Sequence, residues 1–248
     1  MSRFRVLSAM LAIAAVVVTC VFFAPAAWFG DLVAGHSHLR LVYPSGTIWN
    51  GSAVLGVSDG RSTRMLPGRI GWEFRWKDLM YGRMGVAIEH DTIEDAIEVS
   101  YDGRTALLGP GRAIWPAAML EILGAPFNTI SPGGQLRIRW GESRLTRDGF
   151  YGTVQVDWDK AQSALSPVVP LGDFRVVLTA NGGEGEASLT TLRGPLLLEG
   201  QGRMQAGTIR FSGTADAEPD MRASLNGLIG VLGPRSGEKV LLNWEYNS

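Results

Sequence analysis

The sequence predicts a mainly β protein: an antiparallel, curved or half-closed sheet or sandwich with one or two short helices, preceded by a single N-terminal transmembrane helix. Three observations predict it. An uncharged apolar run lies near the N-terminus, apolar residues recur with period two in segment after segment beyond it, and 32 glycines punctuate those segments.

The N-terminal run comes first. From Val6 to Ala27 no side chain is charged, and as a helix the run is long enough to cross a bilayer core, which takes about 20 residues. Arg3 and Arg5 precede it, whereas the first charge beyond it is Asp31 and the first base Arg40. By the positive-inside rule, residues 1–5 stay in the cytoplasm, residues 6–27 form a signal-anchor helix in a bacterial inner membrane, and residues 28–248 form a periplasmic β-rich domain. Cleavage after the small residues Ala24 and Ala26 is a competing reading, but the run exceeds the roughly 7–15 apolar residues of a signal peptide. A lipoprotein reading of Cys20 meets Thr19 where Gly or Ala is expected. Cys20 is more simply a small apolar residue of the span.

The strands follow. In Arg69 to Trp76, Ile70, Trp72, Phe74 and Trp76 share one face while Arg69, Glu73 and Arg75 share the other, as a sheet with one dry and one wet side requires. The same alternation sets Leu136, Ile138 and Trp140 against Gln135, Arg137 and Arg139, and Val154, Val156 and Trp158 against Thr153, Gln155 and Asp157. Near the end it sets Val240, Leu242, Trp244 and Tyr246 against Lys239, Leu241, Asn243 and Glu245. Further strands are expected over Leu39 to Tyr43, Ile48 to Val57, Met84 to Ile88, Ile97 to Tyr101, Phe174 to Leu178, Ala187 to Leu192, Leu196 to Leu198 and Thr208 to Phe211. Their close spacing favours antiparallel hairpins over βαβ crossovers.

Two helices are expected to cap the sheet. One is Trp115 to Leu123, with Pro116 in its first turn, and the other is Pro219 to Leu232, where Leu225, Leu228, Ile229 and Leu232 make an i, i+3, i+4, i+7 stripe. The break from Ser166 to Gly172 reads as a long connection within one β architecture, because the strand pattern is similar on both sides.

Charge and chemistry exclude several function classes. With 23 bases against 24 acids the chain has no nucleic-acid footprint, and its only cysteine is Cys20, so the exported part rests on core packing rather than disulfides. The three histidines are His36, His38 and His90. His36 and His38 share a side of an extended strand, yet no Cys or carboxylate beside them completes a metal shell. No nucleophile-elbow pattern is present, and His90, Asp91, Glu94 and Asp95 read as a solvated turn, with an acid/base role left open. The segment from Gly233 to Lys239 departs from a phosphate loop and reads as a helix-ending turn. At Trp72, Trp76, Trp140, Trp158 and Trp244 the indole falls on the apolar side of its strand, which assigns it to the core; a lipid-facing groove has the same period.

The local signatures resemble those of the protein N family of the type II (general) secretion system (GspN). Gly46-Thr47-Ile48-Trp49-Asn50-Gly51-Ser52-Ala53 is similar to that family's Gly-Thr-aliphatic-Trp-x-Gly-x-Ala strand, with Gly51 and Ala53 expected on the Trp49 face, leaving room for its indole. Pro132-Gly133-Gly134-Gln135-Leu136, Leu171-Gly172-Asp173-Phe174-Arg175 and the stretch from Gly194 through Gly200 to Gly202 resemble three later family segments in order. Phe174 and Met204 depart from the family's usual aromatics, Tyr in the first case.

The resemblance implies a non-enzymatic inner-membrane component supporting export of folded periplasmic proteins across the outer membrane. Its implied partners are other inner-membrane secretion components and the secretin complex. It implies no catalytic, metal or cofactor-binding residue and no cofactor. Gly46, Thr47, Trp49, Gly51, Ala53, Leu171, Gly172, Asp173, Gly194, Gly200 and Gly202 are then packing or contact residues. The alternatives are a periplasmic lipid-binding or lipid-transfer protein with a hydrophobic β groove, and an envelope enzyme built on the histidines.

Overall fold

The computed structural model describes residues 19–28, 30, 39–58, 63–65, 67–123, 127–205, 208–237 and 239–247. They are mainly β and antiparallel, with few short helices, and they group into two compact units. His36, His38 and most of the apolar run lie outside the described residues. Among the described residues no helix is long and apolar enough to cross a membrane.

The first unit takes the chain to Asp91 together with residues 96–100. It holds β1 (Leu39–Gly46), β2 (Asn50–Ser58), β3 (Thr63–Met65), β4 (Ile70–Arg75), the helical turn α1 (Trp76–Leu79), β5 (Met84–His90) and most of β6 (Ile97–Tyr101). β1 pairs with β2, β2 with β4, and β4 with β5. Gly46 of β1 faces Gly51 of β2, Ala53 of β2 faces Ile70 of β4, and Ile70 faces His90 of β5, while β3 pairs with the far end of β2. A small core forms where Ala26, from the end of the N-terminal run, packs on Ala53 and Trp72, with Leu41, Ile70 and Val86 around them.

The expected strand over Arg69 to Trp76 ends one residue early. Past Arg75 the pairing with β5 stops, and the chain folds back so that the Asp78 carboxylate sits over Gly85, where a side chain would collide with it. Trp76 therefore leaves the sheet and is 45% exposed, contrary to its expected core position.

The second unit holds residues 92–95 and 101–248. Its elements are β7 (Ala106–Leu108), β8 (Gly111–Pro116), a 3-10 turn (Ala117–Leu123), α2 (Phe127–Ile130), β9 (Pro132–Trp140), β10 (Ser143–Thr146) and β11 (Gly149–Ser163). There follow β12 (Gly172–Gly182), β13 (Glu184–Arg193), β14 (Leu196–Gln205), β15 (Thr208–Ala217), a 3-10 turn (Pro219–Met221), α3 (Arg222–Leu232), β16 (Arg235–Ser236) and β17 (Lys239–Asn247). The long strands form an antiparallel meander in chain order, β8 to β9 to β11 to β12 to β13 to β14 to β15 to β17. The short β7 and β10 continue β8 and β9 alongside the start of β11.

The core of this unit lies under α3. Leu225, Leu228 and Ile229 of its stripe are buried against Leu196, Ala215, Val240 and Leu242, with Phe174 and Leu171 beside them. Burying three apolar side chains of that size stabilises the cap by several kcal/mol, at about 1.5–3 each. The expected helix from Trp115 begins two residues late. Trp115 and Pro116 finish β8 opposite Leu136 and Gln135, and the Trp115 indole N–H donates to Thr92 Oγ1 at 2.6 Å. The expected helix over Pro219 to Leu232 is present as a 3-10 turn running into α3. The break from Ser166 to Gly172 lies within this unit, between two strands that pair with each other.

Candidate functional site

The family-like motif near the N-terminus builds a tight turn that holds the end of the apolar run. Gly46 adopts φ +85°, and a Cβ there would lie 2.5 Å from Asn50 O, so only glycine closes the turn without strain. Thr47 N–H donates to Asn50 O at 2.8 Å, and its Oγ1 accepts from the amides of Trp49 and Asn50 at 3.3 and 3.1 Å. With its shape fixed locally, the turn presents two donors outward. Ile48 N–H donates to Ala24 O at 3.0 Å, and the Trp49 indole N–H donates to Val21 O at 2.7 Å. Thr47 also forms an isolated antiparallel bridge with Pro25. These bonds engage two carbonyls where the helical turn of the run ends; the Val21 carbonyl also accepts a long bond from Ala24 N–H at 3.4 Å.

The aromatic rings extend this contact. Trp49 meets Phe74 edge-on at 5.0 Å and Trp76 at 4.9 Å between centroids, and Phe22 of the run stacks on Trp76 at 5.5 Å. Trp49 itself is half-buried and precedes β2 rather than starting it. The room made by Gly51 serves a different indole from the one expected. A Cβ on Gly51 would lie 2.5 Å from the Trp72 ring, and Trp72 is the buried tryptophan of this core, its N–H bonded to Ile48 O at 3.2 Å.

The later motif residues gather at one place in the second unit. Leu171 is buried and exchanges the ends of neighbouring strands, its N–H donating to Ala161 O at 2.7 Å and its carbonyl accepting from Leu196 N–H at 3.0 Å. Gly172 and Gly194 lie backbone against backbone, so a side chain on Gly194 would strike Gly172 itself. Asp173 accepts from Lys160 N–H at 2.7 Å and from the Arg193 guanidinium. Burial pushes its carboxyl up, but these two bonds outweigh it and hold it below the usual range. Gly200 and Gly202 sit on β14 beneath the Phe211 ring. All of these are packing positions, and none forms a reactive cluster.

The sheet's apolar face is not covered along its whole length. One cross-strand row runs from Val154 to Leu178, Ala187, Gly202, Phe211 and Trp244. It lies on the same face as the row beneath α3 but beyond that helix, and Leu178 and Trp244 are 44% and 48% exposed. An apolar recess of about 330 Å³ opens over the part of this row from Val154 to Phe211, lined also by Phe150, Met204 and Ile209. Of the tryptophans expected in the core, Trp72 is buried and Trp158 packs against the core under α3, while Trp140 is half-buried and Trp76 and Trp244 are exposed.

The opposite face carries an ionic ladder that the alternation alone could not reveal. Asp157 is 1% exposed and accepts from Arg139 at 2.6 Å, Arg175 at 2.7 Å and Gln155 at 3.0 Å. Burial pushes its carboxyl up, yet the hydrogen bonds from Arg175, Gln155 and Arg139 together prevail and lower it to about 2. Two of the other candidate acids are engaged: Asp91 accepts from Arg69 N–H at 3.1 Å, and Glu94 pairs with Arg112 at 3.4 Å. Among the described residues no group of three His, Cys, Asp or Glu side chains is placed to hold a metal ion.

Comparison with known proteins agrees with the motifs. A family model of the type II secretion system (T2SS), protein N, matches residues 37–241. No curated protein and no solved structure matches significantly. The match takes in both β units and every motif residue named above, and on it the chain belongs to the type II secretion system protein N family.

Proposed function

We propose that the protein is a non-enzymatic, single-pass inner-membrane component of the type II secretion machinery, with a cytoplasmic N-terminus and its two β units in the periplasm, where it supports export of folded proteins across the outer membrane. The observation that carries this reading is the grip of residues 48 and 49 on Ala24 and Val21, which ties the end of the uncharged run to a β unit by hydrogen bonds. A subunit held in this way meets other membrane-anchored components at high effective concentration and in a fixed orientation. The motif residues that define the family serve packing and this junction, which accords with a scaffold role.

The test is complementation of a strain lacking the protein, scored by secretion of a reporter exoprotein. The full chain should restore secretion, and a form with residues 6–27 replaced by a cleavable signal should not. Full activity of the released form would overturn the tethered-scaffold reading. The recess on the second unit favours one second reading, lipid binding, because an acyl chain needs an apolar channel with no polar partner. Co-purification of phospholipid, lost in Leu178→Glu, would support it.

A further inference from the structure

We propose that residues 76–84 form a second membrane contact, an interfacial foot resting in the headgroup region of the same leaflet from which the N-terminal helix emerges. The sequence Trp-Lys-Asp-Leu-Met-Tyr-Gly-Arg-Met leaves the sheet as α1 and a short turn and returns as β5. Its backbone is satisfied internally, with the amides of Tyr81 and Arg83 both donating to Asp78 O at 3.0 Å and Gly82 N–H donating to Leu79 O at 3.0 Å. The turn is thus a formed structure, yet its apolar side chains face outward. Met80 is 86% and Tyr81 81% exposed, and Trp76, Leu79 and Met84 are exposed as well. Such a contiguous patch marks an interaction site.

The occupant follows from position. Phe22, near the end of the uncharged run, stacks on Trp76 at 5.5 Å, so the turn sits at the depth where that run leaves the hydrocarbon. The headgroup layer on each side is about 5–8 Å thick, enough to receive side chains one helical turn from Trp76. Trp and Tyr with flanking Lys and Arg are what that layer favours. The charge agrees: the one acid of the turn, Asp78, is paired with Arg75 at 3.4 Å, which leaves Lys77 and Arg83 to meet lipid phosphates. With helix and foot both engaged, the first unit is fixed in tilt as well as in place. The inference rests on the membrane-spanning reading of residues 6–27.

The experiment uses the full chain with Cys20→Ser, labelled with an environment-sensitive fluorophore at Met80→Cys or, for comparison, at the exposed Asp148→Cys, in vesicles of phosphatidylethanolamine and phosphatidylglycerol. Vesicle flotation is read on each sample. The expected result is co-flotation of both forms, with the Met80→Cys label blue-shifted, quenched by lipids spin-labelled near the headgroup and shielded from iodide, and the Asp148→Cys label showing none of these. Co-flotation with a Met80→Cys label as open to iodide as that at Asp148→Cys would overturn the foot and leave the anchor standing. A label shielded from iodide but not quenched by spin-labelled lipid would assign the patch to contact with another copy of the chain and overturn the foot as well. Failure to float would overturn anchor and foot together.

Discussion

Trp49 offers the sharpest test of the junction between the apolar run and the first β unit. Truncating a fully buried tryptophan costs about 3–5 kcal/mol. Trp49 is half-buried, so Trp49→Ala should cost about 2–3 kcal/mol, since the cost scales with the apolar area removed from water. Trp49→Phe keeps a ring against Phe74 and Trp76 but loses the 2.7 Å bond to Val21 O. That bond contributes about 1 kcal/mol, because water can reach the partly exposed carbonyl once the indole is gone. Guanidinium unfolding of the detergent-solubilised chain, followed by far-UV circular dichroism, gives the total. Hydrogen exchange at Ile48, whose amide donates to Ala24 O, reports the junction itself. Trp49→Phe should speed exchange at Ile48 while leaving the amides of β12 and β13 unchanged. Unaltered exchange at Ile48, with or without a shift in global stability, would show that the indole does not hold the run.

Other expectations are read in separate assays. Asp157 sits at about 2 against an ordinary 3.8, so its contribution of about 2–3 kcal/mol is present above about pH 4 and is lost as the pH falls through 2; Asp157→Asn should abolish that acid-range step in stability, and a step that persists would assign it elsewhere. Gly194→Ala should destabilise the second unit by more than about 2 kcal/mol, because the new carbon meets Gly172 backbone that cannot move aside. Gly183→Ala, with open space around it, should be neutral or slightly stabilising, and equal melting temperatures for the two variants would refute the close approach. A periplasm-active reporter fused after Ser248 should be active and a cytoplasm-active one silent, and the reverse would remove the proposed topology. Replacing His36, His38 and His90 together by Gln should leave secretion intact; loss of secretion in a normally folded variant would direct attention to an enzyme.

The strand alternation was legible where one face is dry. Trp158 and Phe174 meet in the core under α3, and the stripe Leu225, Leu228 and Ile229 is the buried face of that helix. It failed at Trp76, where the strand ends one residue early and the chain leaves the sheet, and at Trp244, because period two assigns a face and not what covers it. A face beyond the reach of α3 reads the same as one beneath it. The short strands β3, β7, β10 and β16 carry too few residues for a period to show. The alternation puts Asp157 on the wet face of its strand and it is there, yet it is buried, because Arg139 and Arg175 converge on it from neighbouring strands and only register brings them together. The motif around Trp49 reads, from sequence, as strand packing. Its hydrogen bonds to Val21 and Ala24 span more than twenty residues, a separation that no local pattern encodes.

The order of strands in the second unit has a consequence for assembly during synthesis. Every long strand lies beside the one made just before it, so a chain emerging N-terminus first finds a template waiting for each new segment. No strand needs to be inserted later between two that have already joined, and loop-closure entropy is met in small instalments. The exception is the finish. Val240 and Leu242, which seal the underside of α3, arrive only with β17, so until β17 emerges the growing sheet ends in an open edge on β15 and a half-filled interior. A nascent chain stalled short of Lys239 should therefore be the form most readily captured by chaperones and proteases.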